Sequence, residues 1–235
     1  MIKKKGNIRR FLYLLALLIL VSAGLSYYYY TKLTRSPDGI AFYTPAEPFG
    51  KTVYIQPLED VDPLILDQVK VFITNEFKHP VTILPSYPVP YFPEGRAGQV
   101  KADFLRDYVM YDRQVPKDLN RMIILTNEDI YTDGYNFIFG QASVGGLDMV
   151  ISLSRLKAMQ DGGTQSDNSE GQKLDLVMCR LNKLIRHELG HTYGLSHCKN
   201  PECVMAFHMT LKELDEGGEF YCDECLSKIA KRTSP

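Results

Sequence analysis

Residues 187–225, HELGHTYGLSHCKNPECVMAFHMTLKELDEGGEFYCDEC, hold four of the chain's five histidines and four of its five cysteines. The stretch opens with His187-Glu188-Leu189-Gly190-His191, the pattern H-E-x-x-H. Two histidines four apart on a helix stand on one face, so their imidazoles can meet on one ion. Glu188 projects in a neighbouring direction, where it can take a proton from a metal-activated water. Gly194 and His197 extend the pattern to H-E-x-x-H-x-x-G-x-x-H. A glycine at that point permits a sharp turn straight after the second ligand, which lets His197 return as the third. Three protein nitrogens leave one tetrahedral position open, the arrangement of a catalytic rather than a structural zinc.

Upstream of the motif, Leu174, Val177, Met178, Leu181, Leu184, Ile185 and Leu189 recur at helical spacing. They predict a helix from about Leu174 to Tyr193, ended by Gly194. Cys179, between Met178 and Leu181, is expected to be a buried core thiol. Downstream, Cys198-x4-Cys203 and Cys222-x2-Cys225 are two pairs. Four thiolates there can close a structural zinc site, and two disulfides are the competing reading.

The rest of the body alternates strands and helices, which argues for a mixed α/β (α+β) sheet protein. Thr52–Leu58 reads as a strand, and Asp62-Pro63 caps a helix running to about Phe77. A strand at Val81–Leu84 enters a Pro-rich extended stretch, Pro85 to Pro93. A second helix is expected over about Lys101–Tyr111, then strands at Arg121–Thr126, Asn136–Ala142 (NFIFGQA) and Asp148–Leu153. The last two join through a turn at Gly145-Gly146, and Gly162–Gly171 reads as a polar loop.

The N-terminus reads as an address. The chain has 235 residues and a net charge of −1, but residues 1–10 carry five basic residues and no acid. The remaining body is therefore mildly acidic, which excludes a broad basic surface for nucleic acid. Phe11 to Leu25 is an apolar and small-residue run, followed by Tyr27–Tyr30. Residues 1–10 are read as a cytoplasmic n-region, 11–30 as a single-span anchor and 31–50 as a linker. The domain at 51–235 is then extracytoplasmic, tethered to the membrane through residues 11–30. The alternative is a signal peptide that is cleaved to give a secreted or periplasmic protein.

The motif at 187–225 resembles the archaemetzincins, zinc peptidases of the metzincin clan. Their hallmark joins a three-His helix directly to a four-Cys zinc site, with a methionine two residues after the second Cys, here Cys203-Val204-Met205. The resemblance implies a metzincin-like twisted mixed sheet with an active-site helix at 51–194, and a small zinc-bound C-terminal subdomain at 195–235. It implies two Zn2+ per chain. His187, His191 and His197 would hold the catalytic ion, with Glu188 as general base, and Cys198, Cys203, Cys222 and Cys225 the structural one. Met205 would form the Met-turn. Two features depart from the family's pattern: the export segment, and His208 where a small polar residue is expected. His208 is read as an exposed side chain, with a transition-state stabiliser as the alternative.

The expected activity is zinc-dependent hydrolysis of peptide bonds by a monomer. The peptide would lie extended against an edge strand. Asn136–Ala142 is the candidate, with Gly140, Gln141 and Ala142 at the rim, and an ordinary core strand is the alternative. A zinc-stabilised binding module of little catalytic power is the competing function.

Overall fold

A computed structural model describes residues 52–89, 96, 98–112, 115–158 and 170–233. The predicted n-region, anchor and linker lie outside the described residues. Among the described residues no helix is long and apolar enough to cross a membrane.

The core strand of the sheet is β4 (Leu119–Thr126), whose eight residues are all buried. Such a run must be covered on both faces, which places it in the middle of a sheet. It pairs in parallel with β1 (Thr52–Leu58) on one side and β7 (Asp148–Ser152) on the other. The sheet is completed by β2 (Val81–Ile83) beside β1 and β6 (Gly140–Ala142) beside β7, giving the order β2-β1-β4-β7-β6. Only β6 runs antiparallel, with Gly140 opposite Ile151 and Ala142 opposite Met149. The sheet is thus mixed, as the sequence predicts, and β6 forms an edge.

Alternation along the strands sorts the core into two layers. Ile123, Leu125, Met149 and Ile151 face one layer, with α1 (Pro63–Phe77) and α3 (Glu170–Thr192). Met122, Ile124 and Val150 face the other, packed on Leu105 and Val109 of α2 (Ala102–Asp112). Asp62 caps α1 by accepting the Leu64 N–H, and Lys78 ends it in the left-handed conformation. The predicted polar loop overlaps α3, which begins at Glu170.

Several expectations are corrected. NFIFGQA is a strand only over its last three residues; before them, Ile138 makes a single antiparallel bridge to Ile130. A second, two-stranded parallel sheet joins β3 (Gln99–Lys101) to β5 (Asp129–Tyr131). Three-residue strands show too little alternation to be read from sequence. Cys179 is exposed, not a core thiol. It follows the buried Val177 and Met178 and precedes the buried Arg180, so the apolar stripe of α3 passes beside it. After α3 come α4 (Leu211–Glu216) and α5 (Asp223–Thr233).

Candidate active site

The end of α3 is built by Gly194, which sits at φ 87°. Its N–H donates to the His191 carbonyl at 2.8 Å, and the Leu195 N–H donates to Gly190 at 2.9 Å. This is a Schellman closure, which needs a residue that tolerates the left-handed region. The turn carries the Leu195 carbonyl back beside His191, whose Nδ1 lies 2.7 Å from it. His187 is held the same way, Nδ1 at 2.7 Å from the Val204 carbonyl. A carbonyl only accepts, so each Nδ1 carries the proton and each Nε2 presents a lone pair. Those two Nε2 atoms face each other at 3.1 Å.

His197, on the loop past the turn, completes a triangle with ring centroids 5.3 Å from His187 and 4.9 Å from His191. One nitrogen from each of the three lies within 4.8 Å of the others. Nitrogens bound tetrahedrally to zinc at about 2.0–2.1 Å stand about 3.3 Å apart, so the 3.1 Å pair already has the required spacing. Desolvation lowers all three imidazoles, His187 to about 3, in the direction of the neutral form that ligation requires.

Glu188 is buried, and among the described residues its Oε2 has no hydrogen-bond partner. Burial raises its carboxyl to about 8, with Arg106 acting weakly in the opposite direction. Its other oxygen lies under the backbone of β6: a Cβ placed on Gly140 would come within 2.7 Å of Oε1. The edge strand therefore touches the candidate base where it has no side chain. Both sit in a cleft of about 530 Å³, lined by Gly140, Gln141 and Ala142 on one wall and by the three histidines with Phe207 and Met209 on the other.

The four remaining cysteines converge behind this wall. Cys198 and Cys222 have Sγ atoms 3.8 Å apart, as do Cys203 and Cys225, and all four lie within 4.8 Å of one another. Thiolates bound tetrahedrally to zinc at about 2.3 Å are about 3.8 Å apart. Disulfide sulfurs would stand at about 2.05 Å. The spacing fits one shared metal ion and not two disulfides. Burial pushes the Cys203 thiol up, and the Cys222 N–H, donating to Cys203 Sγ at 3.3 Å, acts against that shift. Met205, in the turn Cys203–Ala206, lies fully buried against Gly190 of α3.

His208 is not the exposed side chain expected: it is half-buried, lines the cleft and rests on Gly217. Sequence reasoning also missed Arg106, whose Nε bonds Asp148 at 2.6 Å and whose Nη2 bonds Ser143 at 2.7 Å, tying α2 to the start of β7 and to the turn that follows β6. Nothing in its spacing points to this, because α2 is distant from both in sequence. Lys183 was legible in principle, standing one helical turn before His187 on the same face.

The family model for peptidase family M54 matches residues 99–231. An archaemetzincin of Natronomonas pharaonis is 34% identical over 179 residues, covering 75% of this chain and 98% of that protein. One from Methanocaldococcus jannaschii is 30% identical over 77% of this chain and 93% of its own length. Among solved structures, archaemetzincin from Archaeoglobus fulgidus, complexed with malonate, is similar with a TM-score of 0.60 and 31% identity. The similarity covers 75% of this chain and 99% of that one. The Methanopyrus kandleri archaemetzincin has a TM-score of 0.63 at 27% identity, covering 78% and 95%. Family model, full-length relatives and a histidine triangle with zinc-ready nitrogens agree, and the chain belongs to peptidase family M54, the archaemetzincins, as a zinc metallopeptidase.

Proposed function

We propose that the chain hydrolyses peptide bonds with one zinc at His187, His191 and His197, a second at Cys198, Cys203, Cys222 and Cys225, and Glu188 as general base. The observation that carries this reading is the pairing of two Nε2 lone pairs at 3.1 Å with an unpartnered Glu188 oxygen in the same cleft. A zinc ion bound there supplies Lewis-acid activation of water and of the scissile carbonyl. The unpartnered Oε2 of Glu188 accepts the proton of the attacking water, and Glu188 then delivers it to the leaving amine nitrogen. Gly140, Gln141 and Ala142, on a sheet edge that no other described strand pairs, bind the substrate by main-chain hydrogen bonds as an added strand. Met205 packs under Gly190 as the floor of the metal centre, and the cysteine site anchors the segment that returns His197.

The reading extends to residues 11–30 as a membrane tether for a monomeric, extracytoplasmic catalytic domain, supported by the basic run followed by an apolar stretch. The test combines elemental mass spectrometry with a peptide-cleavage assay on the protein and on Glu188→Gln. Two zincs per chain are expected in both, with turnover lower by about 10²–10⁴-fold in the variant. Undiminished cleavage by Glu188→Gln, or no zinc after metal reloading, would refute it.

A further inference from the structure

The cleft is mostly apolar, but it is not electrically symmetric. Among the described residues lining it, Glu188 is the one carboxylic side chain and Lys183 the one amine. Lys183 is 4% exposed. Its Nζ donates to the carbonyls of Leu214 at 3.0 Å, Asp215 at 3.0 Å and Gly217 at 2.8 Å, around the end of α4. Those are dipoles, not charges. The nearby Asp215 carboxylate is engaged by Arg180, Nε at 2.7 Å and Nη2 at 2.6 Å. Among the described residues no carboxylate forms an ion pair with Lys183. The charge is therefore solvated by backbone but not cancelled, at the wall of a substrate cleft where little water screens it. The same lining includes Leu184, Leu214, whose carbonyl Lys183 bonds, and His208, whose ring adds an N–H.

The position of Lys183 along a bound peptide follows from two contacts of α3, one with the edge strand and one with the turn that follows it. Glu188 lies against Gly140, and the His191 carbonyl accepts from the Gly145 N–H at 2.8 Å. Helix and strand thus advance in the same direction. Lys183 and Leu184, one turn before Glu188, belong beside the Phe137–Phe139 end of the strand, which also lines the cleft. A peptide added antiparallel to β6, the more stable pairing, runs the opposite way. The residue following its scissile bond then meets the Lys183 end.

We propose that this end of the cleft is a specificity pocket for an acidic side chain on the residue that follows the scissile bond, with Lys183 supplying the charge that selects it. An acid is favoured over its amide by the field of the uncancelled ammonium, and His208 offers the hydrogen bond that Lys183 has already spent on carbonyls. The proposal rests on the peptidase reading, and the two fail in different ways.

The test uses the zinc-loaded full chain and peptides capped at both ends, so that one varied side chain, Glu, Gln or Leu, carries the only carboxylate. Cleavage is mapped by mass spectrometry, and affinity is measured on Glu188→Gln to hold the peptide intact. The expected result is cleavage before the varied residue, with Glu bound about tenfold more tightly than Gln. That gap closes when Lys183→Met is added. Because Lys183 also pins α4, the Glu-to-Gln ratio in the protein that retains it decides the question even if the Met variant unfolds. Equal or better handling of Gln or Leu, or a Glu preference that survives Lys183→Met, overturns the pocket and leaves the peptidase reading standing. Failure to bind or cut any peptide overturns the peptidase reading and the pocket with it.

Discussion

Replacing Glu188 by Gln in the metal-free protein isolates the cost of burying its carboxyl. Burial raises the group from an ordinary 4.5 to about 8. The folded value lies above the unfolded one, so the neutral carboxyl is accepted below about pH 4.5 without an electrostatic penalty. As pH rises from there through 8, the unfolded chain ionises freely while the folded one resists, and stability is lost. At about 1.4 kcal/mol per unit the ceiling on that loss is about 4–5 kcal/mol. Glutamine has nearly the same shape and the same unpartnered oxygen, but does not titrate, so its contribution is one constant offset. Urea unfolding of chelator-treated, reduced protein, followed by circular dichroism, measures both chains at pH 5 and at pH 8.5. The native chain should lose stability relative to Glu188→Gln by a few kcal/mol between the two. Reloading with zinc should close the gap, because a nearby dication favours the ionised carboxylate. Parallel stability of the two proteins across this range would refute the burial argument.

Two further substitutions probe the neighbouring contacts. Gly140→Ala would place a methyl 2.7 Å from Glu188 Oε1, backed by strand on one side and helix on the other. The carboxylate must give way, so kcat should fall by about 10²-fold with both zincs retained, read by steady-state kinetics and metal analysis. Cys203→Ser removes a fully buried member of the sulfur cluster. One zinc per chain should be lost, and stability should drop by about 4 kcal/mol or more, seen as a lower thermal midpoint.

What could be read from sequence is what depends on short-range spacing. The H-E-x-x-H pattern needs only one helix for His187, Glu188 and His191 to fall where they do, and Gly194 announces its own turn. The two cysteine pairs sit close enough in sequence to suggest a cluster, and their sulfurs lie at zinc spacing. Asp62-Pro63 fixed the start of α1 for the same local reason. The Thr210-x-x-Glu213 capping box that opens α4 was equally legible, since both of its reciprocal bonds form. What could not be read is set by contacts made across the fold. Arg106 reaches Ser143 and Asp148 from another layer. Gly140 matters because Glu188, 48 residues on, lies beneath it. His208 looks like a surface residue until Gly217 supplies the space beneath its ring.

The two clusters that could hold a metal ion are adjacent in the chain, and this constrains how each is held. His197 and Cys198 are consecutive, so a cluster that fixes Cys198 limits where His197 can stand. Cys203 and Val204 are also consecutive, and the Val204 carbonyl holds the Nδ1 proton of His187. The Met205 carbonyl in turn accepts the Cys198 N–H at 2.8 Å, closing the loop that carries both clusters. The cysteine cluster thus orients one histidine through the covalent chain and another through a hydrogen bond, the kind of outer support that sets ligand tautomer and basicity. His191 is the exception, because the Schellman turn of its own helix supplies the Leu195 carbonyl. A loosened cysteine site should therefore disturb His187 and His197 before it disturbs His191. The segment from 195 on has no strand among its described residues, but it is not without apolar anchorage: Leu195, Val204, Met205, Leu214, Tyr221 and Ile229 join the main core, and the sulfur cluster adds a second constraint to that packing.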